Sequence, residues 1–275
     1  KKYGVPLLVH AEIESIPGQT GEYNNPQSYA AFLNSRPKEI EDNAVNLMIR
    51  LCKEYQTKTH IVHLSSAGAL QAIKEARHSG LPFSAETCPH YLTFNAEEIH
   101  DGDTRFKCCP PIREKANNEK LWDALKTGII DFIVSDHSPC TANLKLLEKG
   151  DIEHAWGGIS GLQFSLSIIW TEAIRRGLNL EDLSRLMSQK TSSFIGLGDK
   201  KGKIAPGYDA DYVIWNPDKS FKIEEEMIQH KNKVTPYLNK ELFGVIEKTY
   251  VRGNKVYDCG NFNRQPTGEF LLKTY

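Results

Sequence analysis

Residues 59 to 64 read Thr59-His60-Ile61-Val62-His63-Leu64, and this short, largely apolar run is typical of a strand that is buried on both faces. The next apolar residues, Leu70, Ile73 and Ala76, recur at helical spacing until Gly80 ends the pattern. A buried strand followed by an amphipathic helix is the repeating unit of proteins with parallel sheets. The stretch therefore predicts an α/β fold.

Three further strands of the same kind flank this unit. They are predicted at Leu7-Leu8-Val9-His10, Pro82-Phe83-Ser84-Ala85-Glu86 and Asp131-Phe132-Ile133-Val134-Ser135. Helices are predicted between them, one opening near Pro37 and one containing Leu121. A (β/α)8 barrel has eight such units and typically about 250 residues. Up to residue 136, the sequence therefore has the content of half a barrel.

The second half of the chain has a different pattern. Helices are predicted over residues 162–174 and 180–194, and short β-type runs separated by glycines follow from Lys203. One such run is Ala210-Asp211-Tyr212-Val213-Ile214-Trp215. The sequence therefore predicts two domains, an α/β domain over residues 1–198 and a small β domain over residues 199–275.

Composition excludes several classes of function. The 275 residues carry 34 Lys and Arg against 35 Asp and Glu, and this balance argues against nucleic acid or an acidic membrane as the main partner. No apolar run approaches the roughly 18 to 20 residues that span a bilayer. The six cysteines form no Cys-x-x-Cys pair, which is typical of reduced thiols inside a cell.

Three residues with metal-binding side chains follow predicted strands. His10 and His63 close the first and second strands, and Asp136 follows the fourth. In parallel α/β barrels, catalytic groups come from the carboxyl ends of the strands, and two imidazoles with a carboxylate suit a divalent metal. A lone histidine at a strand end is more often structural, and Asp136 could instead cap a helix. Only the combination favours a metal site.

The motifs around these residues are more specific. In chain order they are Val9-His10-Ala11-Glu12, Ile61-Val62-His63-Leu64-Ser65-Ser66, Glu86-Thr87-Cys88-Pro89-His90-Tyr91-Leu92, Cys109-Pro110-Pro111-Ile112-Arg113, Val134-Ser135-Asp136-His137-Ser138-Pro139-Cys140 and Ala155-Trp156-Gly157-Gly158-Ile159. With these motifs in this order, the sequence resembles the cyclic amidohydrolases. The segment from Gly202 to Asp211 is typical of the β-sandwich of that superfamily.

The resemblance implies two metal ions at the mouth of a barrel, bridged by a carboxylated lysine. His10 and His63 match the ligands of the more exposed ion, and Asp136 matches both a ligand of the more buried ion and the catalytic proton shuttle. The ions are expected to be zinc, with cobalt, manganese or iron as alternatives. The bridging lysine and a His-x-His pair belong upstream and have no counterpart here. The chain is therefore expected to be the C-terminal portion: half a barrel with part of a β-sandwich.

The resemblance also implies a substrate. The residues after Asp136 follow the branch that hydrolyses the cyclic amide of allantoin to allantoate, with Cys109, Ser138 and Gly158 as substrate-binding residues. This activity is expected to be incomplete in the chain alone. Another cyclic amidase, such as a hydantoinase or dihydropyrimidinase, and a noncatalytic assembly protein remain alternatives. The enzyme is expected to be a homotetramer, cytoplasmic in a bacterium and peroxisomal or mitochondrial in a eukaryote.

Several other segments have two interpretations. His90 could bind substrate or orient a neighbour, and Arg36 could bind a carbonyl or, more commonly, pair with a carboxylate. The polar segment 141–154 could be a mobile lid, although a solvated loop is the default. Cys108, Cys109 and Cys140 could suggest a soft metal site, but such sites usually need four suitably spaced ligands.

Overall fold

A computed structural model describes residues 4–13 and 25–271 of the chain. It contains two compact units: residues 1–163 with 225–238, and residues 164–224 with 239–275, each as far as described. The boundary that the sequence places between residues 198 and 199 lies inside the second unit. That boundary remains a prediction.

A four-stranded parallel sheet forms the centre of the first unit. Its strands are β1 (Leu7–Val9), β2 (Thr59–Ile61), β3 (Phe83–Thr87) and β4 (Phe132–Ile133), and they lie side by side in chain order. Leu8 pairs with His60, which in turn pairs with Ser84. The parallel α/β arrangement predicted from the sequence is therefore confirmed.

Helices connect and cover these strands. Helix α2 buries Ile40, Ala44 and Val45 on one face, at the spacing expected of an amphipathic helix. In the described part of the chain, every helix is too short or too polar to cross a lipid bilayer. The α-helices of this unit are α1 (Tyr29–Ser35), α2 (Lys38–Tyr55), α3 (Leu70–His78), α4 (Pro89–Thr93), α5 (Lys115–Lys126) and α6 (Ala142–Lys145), and its 3-10 helices are Ala96–Glu98, Thr104–Phe106 and Glu225–Met227. A further 3-10 helix, Leu162–Phe164, ends at the first residue of the second unit.

The second unit pairs helices with an antiparallel sheet. Its helices are α7 (Ser165–Arg175), α8 (Leu180–Ser184), a π-helical turn (Arg185–Gln189) and α9 (Lys190–Phe194); its strands are β5 (Tyr212–Lys222), β6 (Glu241–Val251), β7 (Asn254–Asp258) and β8 (Asn261–Phe262). The rings of Tyr212 and Tyr250 stack at 4.6 Å across β5 and β6. The β-type run predicted over residues 210–215 overlaps β5.

A buried ion pair joins α2 to the loops beyond the strands. Glu41 accepts hydrogen bonds from the backbone N–H of Ser65 at 2.7 Å and of Ser66 at 2.8 Å, and it contacts the guanidinium of Arg113 at 3.3 Å. Burial raises the pKa of Glu41 to about 7. Arg113 also donates to the carbonyl oxygen of Arg36 at 3.2 Å. One carboxylate therefore fixes the loop after β2 and the segment before α5 at once.

Glu41→Ala should lower the free energy of unfolding by about 3–5 kcal/mol, because it leaves the buried Arg113 without its carboxylate. Urea unfolding at pH 8, where Glu41 is mostly ionised, measures this loss. Glu39→Ala, an exposed position on the same helix, is the matched control and should change the stability by less than about 0.5 kcal/mol. Equal effects of the two substitutions would contradict the structural role of Glu41.

Candidate active site

His10 and His63 face each other at the carboxyl edge of the parallel sheet. His10 Nδ1 lies 3.0 Å from His63 Nε2, and the two ring centroids are 4.8 Å apart. His10 is exposed, whereas His63 is buried. Burial lowers the pKa of His63, so its imidazole tends to be neutral, the form that ligates a metal. The structure thus brings together two nitrogen donors that the sequence placed on separate strands.

Two residues at this edge have left-handed backbone conformations. His63 has φ = +42° and Asp136 has φ = +43°, although neither residue is a glycine. Such conformations are uncommon for residues with a side chain and concentrate at functional sites. Strands β2 and β4 end at Ile61 and Ile133, earlier than the sequence predicts, and the left-handed residues follow two and three positions later.

Asp136 is exposed and lies beside two buried donors. One ligand atom from each of Cys88, His90 and Asp136 falls within 4.8 Å of the others. Burial holds the pKa of His90 at about 3, and Nε2 of its ring is buried without a hydrogen-bond partner among the described residues. Burial also raises the pKa of the Cys88 thiol. The structure therefore places His90 closer to the candidate metal ligands than the sequence interpretation favoured.

A carboxylate holds the ring of His10 from its other side. His10 Nε2 lies 3.0 Å from Glu12, and both oxygens of Glu12 accept from Arg36 at 3.0 Å. The Glu12 hydrogen bond raises the pKa of His10. Histidines that bind metals typically donate their second ring N–H to such a carboxylate. The carboxylate-pairing interpretation of Arg36 is confirmed.

The donor set at this edge fits a divalent metal. Two imidazole nitrogens converge, one imidazole is oriented by a carboxylate, and Asp136 acts electrostatically on His63. His60, which the sequence analysis does not count among the ligands, has both ring nitrogens engaged, with Ser84 at 2.7 Å and Glu86 at 3.0 Å.

The three predicted substrate-binding residues lie together on neighbouring loops. Gly158 donates its backbone N–H to the carbonyl oxygen of Lys107 at 3.0 Å, and Ser138 donates its backbone N–H to the carbonyl oxygen of Ile159 at 3.0 Å. A side chain at Gly158 would collide with the hydroxyl of Ser138, because a Cβ built there lies 2.4 Å from that oxygen. A Cβ at the adjacent glycine would lie 3.1 Å from Sγ of Cys109.

The segment 141–154 differs from the solvated loop predicted as its default. It opens with α6, and Lys145 at the end of that helix is only 2% exposed. The buried side chain of Lys107 donates to the carbonyl oxygen of Glu153 at 2.7 Å. Both lysines therefore tie the segment to the loops beside it.

Glu12, Cys88 and Lys145 were given no role by the sequence analysis. Glu12 stands two residues after His10, a spacing that can place both side chains on one side of an extended chain, and this signal was available. Nothing around Lys145 in the sequence distinguishes it from an exposed lysine. Its burial depends on loops that are distant along the chain.

Comparisons with known proteins identify the family and relatives of similar sequence. The profile of the Amidohydrolase family matches residues 2–256. An allantoinase of Streptomyces avermitilis is 46% identical over 271 residues, which are 98% of this chain and 60% of that protein. The allantoinase of Arabidopsis thaliana is 43% identical over 284 residues, covering 99% of this chain and 56% of that protein. The chain thus spans well under two thirds of the length of either relative.

Solved structures show the same likeness. An L-hydantoinase (dihydropyrimidinase) from Arthrobacter aurescens superposes with a TM-score of 0.86 at 29% sequence identity. That alignment covers 94% of this chain and 58% of the other one.

Gly158→Ala should lower the free energy of unfolding by about 1–3 kcal/mol, because the added methyl overpacks the contact with Ser138. Thermal and urea unfolding of the purified variant measure the change. Gly268→Ala is the matched control, since a Cβ at that position meets no atom within 4 Å. An unchanged stability of Gly158→Ala would show that the loops adjust freely around the methyl group.

Proposed function

This chain belongs to the amidohydrolase family, and on that basis we propose that it takes part in the metal-dependent hydrolysis of allantoin to allantoate. The observation that carries the proposal is the convergence of His10 and His63, whose facing nitrogens are 3.0 Å apart. The left-handed backbone of His63 and Asp136 supports it. Allantoin is proposed as the substrate because the relatives named allantoinase are 43% and 46% identical to nearly the whole chain.

The chain is proposed to supply the C-terminal half of a (β/α)8 barrel, with residues 1–198 in that half and residues 199–275 in a β-sandwich. In the described part of the chain β1 lies at the edge of the parallel sheet, where a further strand could pair with it, and its apolar Leu7 and Leu8 are 51% and 57% exposed. An upstream portion would contribute that strand, the His-x-His pair and the bridging lysine. We refer to this chain joined to that proposed portion as the complete enzyme, and we propose that the chain alone is inactive.

His10 and His63 are proposed to hold one divalent metal, and Asp136 to hold a second. Zinc suits imidazole and carboxylate donors, while cobalt, manganese and iron are alternatives. A divalent metal at such a site supplies Lewis acidity, which lowers the pKa of water and polarises a carbonyl group. Glu12 orients His10 so that its Nδ1 faces inward. Burial keeps His63 neutral and able to donate its lone pair.

Asp136 is the proposed proton shuttle. Ring opening of a cyclic amide breaks the bond between the carbonyl carbon and the ring nitrogen, so the attacking water must lose a proton and the departing nitrogen must gain one. A carboxylate can carry out both transfers, and Asp136 is exposed at the edge where His63 lies. Backbone groups of Cys109 and Gly158, together with Ser138, are proposed to hold the substrate amide on the neighbouring loops.

Hydrolysis of another cyclic amide is the second candidate. The hydantoinase from Arthrobacter aurescens has a TM-score of 0.86, but its sequence identity of 29% is well below the 46% of the Streptomyces allantoinase. A noncatalytic assembly protein need not keep His10, His63 and Asp136 together, and this chain keeps all three. We therefore favour an enzyme specific for allantoin.

Two properties of the whole protein are also proposed. We expect a homotetramer that takes a small-molecule substrate and binds neither nucleic acid nor membrane. We also expect an intracellular location, in the cytoplasm of a bacterium or in the peroxisome or mitochondrion of a eukaryote. The six free cysteines support a reducing compartment.

The complete enzyme should hydrolyse allantoin with a higher kcat/KM than dihydrouracil or dihydroorotate, because the loops after Asp136 match the allantoinase pattern. Steady-state assays measure kcat/KM for each of the three substrates, with zinc, cobalt or manganese added. This chain alone, assayed in parallel, should show no turnover. Faster hydrolysis of dihydrouracil would overturn the allantoin assignment and leave a dihydropyrimidinase.

Asp136→Asn in the complete enzyme should lower kcat by about 10²- to 10⁴-fold, because the variant loses the proton shuttle. Its metal content should fall much less than its rate, since an amide oxygen can still ligate. Kinetics and metal analysis on the same preparation test this. Asp123→Asn, at an exposed position on α5, is the control and should behave like the wild type. Near-normal turnover of Asp136→Asn would show that Asp136 is structural.

A further inference from the structure

Lys145 is a buried lysine with all three of its ammonium protons in use. Its Nζ donates to the backbone carbonyl oxygens of Lys107 at 2.8 Å, Trp156 at 2.9 Å and Gly158 at 2.6 Å. No carboxylate of the described residues forms an ion pair with it. The side chain is 2% exposed, so the three carbonyl oxygens replace the water that would otherwise solvate the charge.

A buried lysine is an unfavourable choice if the side chain only fills space. Burial of an ammonium group costs several kcal/mol unless strong hydrogen bonds replace its hydration, and an apolar side chain of similar volume would pack there without that cost. The charge at Lys145 is therefore better explained by what its hydrogen bonds hold in place.

The hydrogen bonds of Lys145 join the two backbone segments that carry proposed substrate contacts. Lys107 lies two residues before Cys109. The other two acceptors are Trp156, which precedes Gly157, and Gly158, which follows it. The carbonyl oxygen of Lys107 also accepts from the backbone N–H of Gly158 at 3.0 Å. The carbonyl oxygen of Lys107 therefore accepts from both the Lys145 ammonium and the backbone of Gly158.

Each hydrogen bond also orients a peptide plane. The C=O and N–H of a trans peptide point in opposite directions, so a carbonyl aimed at Lys145 directs the N–H of the next residue away from it. The N–H groups of Cys108, Gly157 and Ile159 are directed in this way. A hydrogen bond to a carbonyl also polarises the peptide and strengthens the N–H as a donor. These residues are the chain neighbours of Cys109 and Gly158, so Lys145 fixes the peptide planes beside the proposed substrate contacts.

We propose that Lys145 is a positioning residue for substrate binding, whose ammonium group sets the backbone of residues 107–109 and 156–158 to receive the cyclic amide. The inference rests on the proposed function and extends it to a residue outside the metal ligands and the proton shuttle. Lys145 acts through the backbone and does not touch the substrate.

The decisive variant is Lys145→Met in the complete enzyme, since methionine fills a similar volume and donates no hydrogen bond. Its KM for allantoin should rise at least about tenfold while kcat stays within about threefold, because removal of binding that is equal in the ground and transition states raises KM alone. Lys145→Arg should recover only part of the loss, as a planar guanidinium cannot aim three donors at one converging set of carbonyls. Lys149→Met, an exposed lysine in the same segment, should match the wild type.

Hydrogen–deuterium exchange supplies the structural readout on the same proteins. The peptides that contain residues 107–109 and 156–158 should exchange faster in Lys145→Met, and the peptides of α2 and α3 should not change. A loss of thermal stability with an unchanged KM would mean that Lys145 only supports the fold, and it would overturn the inference. Absence of turnover of any cyclic amide by the wild type would instead refute the proposed function.

A pH profile adds a test that begins with the wild-type enzyme. Neutral lysine has two N–H donors where the ammonium has three, and burial lowers the pKa of Lys145 to about 8. The titratable groups facing it include Lys107, Cys108, Cys109 and Cys140, and His90. Burial raises the pKa of each thiol and lowers the pKa of Lys107 and of His90. The wild-type KM should therefore rise above about pH 8. A flat wild-type KM between pH 7 and 9 would overturn the inference, as would the same rise in a folded Lys145→Met variant.

Discussion

In-register parallel pairing of four short strands is the constraint on which the candidate site depends. Parallel strands end at the same edge of a sheet, so His10, His63 and Asp136 meet there although they are far apart along the chain. Leu8, His60 and Ser84 form one row across β1, β2 and β3. A slip of one residue in this register would turn every side chain to the opposite face, and the two imidazoles could no longer converge.

The short segments after β2 and β4 contain the two candidate site residues with unusual backbone conformations. His63 and Asp136 are left-handed, which turns each side chain away from the direction that a continued strand would impose. Such a conformation is unfavourable for a residue with a Cβ and persists only where the surroundings determine it. The buried Glu41, which binds the backbone N–H groups of Ser65 and Ser66, provides that support immediately after His63.

Two buried charged residues near this site, Glu41 and Lys145, have the same structural role. Glu41 satisfies backbone donors and Lys145 satisfies backbone acceptors, so each holds loop segments that have no strand or helix partner of their own. A loop beside a reacting substrate must keep its shape without regular secondary structure, and unpaired buried N–H and C=O groups are costly. Charged side chains with several hydrogen bonds meet both demands. The loops of residues 107–113, 136–140 and 156–159 are the segments held in this way beside the candidate site.

Local patterns in the amino-acid sequence were enough to predict the class of fold and the chemistry of its strand ends. Apolar runs such as Ile61-Val62 and the helix that ends before Gly80 are signals of this kind, and the motifs around His10, His63 and Asp136 carry the family resemblance. How these residues meet became visible only in the folded chain. The left-handed backbone of His63, the hydrogen bond between His10 and Glu12, and the burial of Lys145 each depend on contacts between segments that are distant in the chain or on local geometry that residue type does not encode. A lysine is exposed or buried according to what packs over it, and in this chain the loops at residues 107 and 156–158, which meet only in the folded state, bury Lys145.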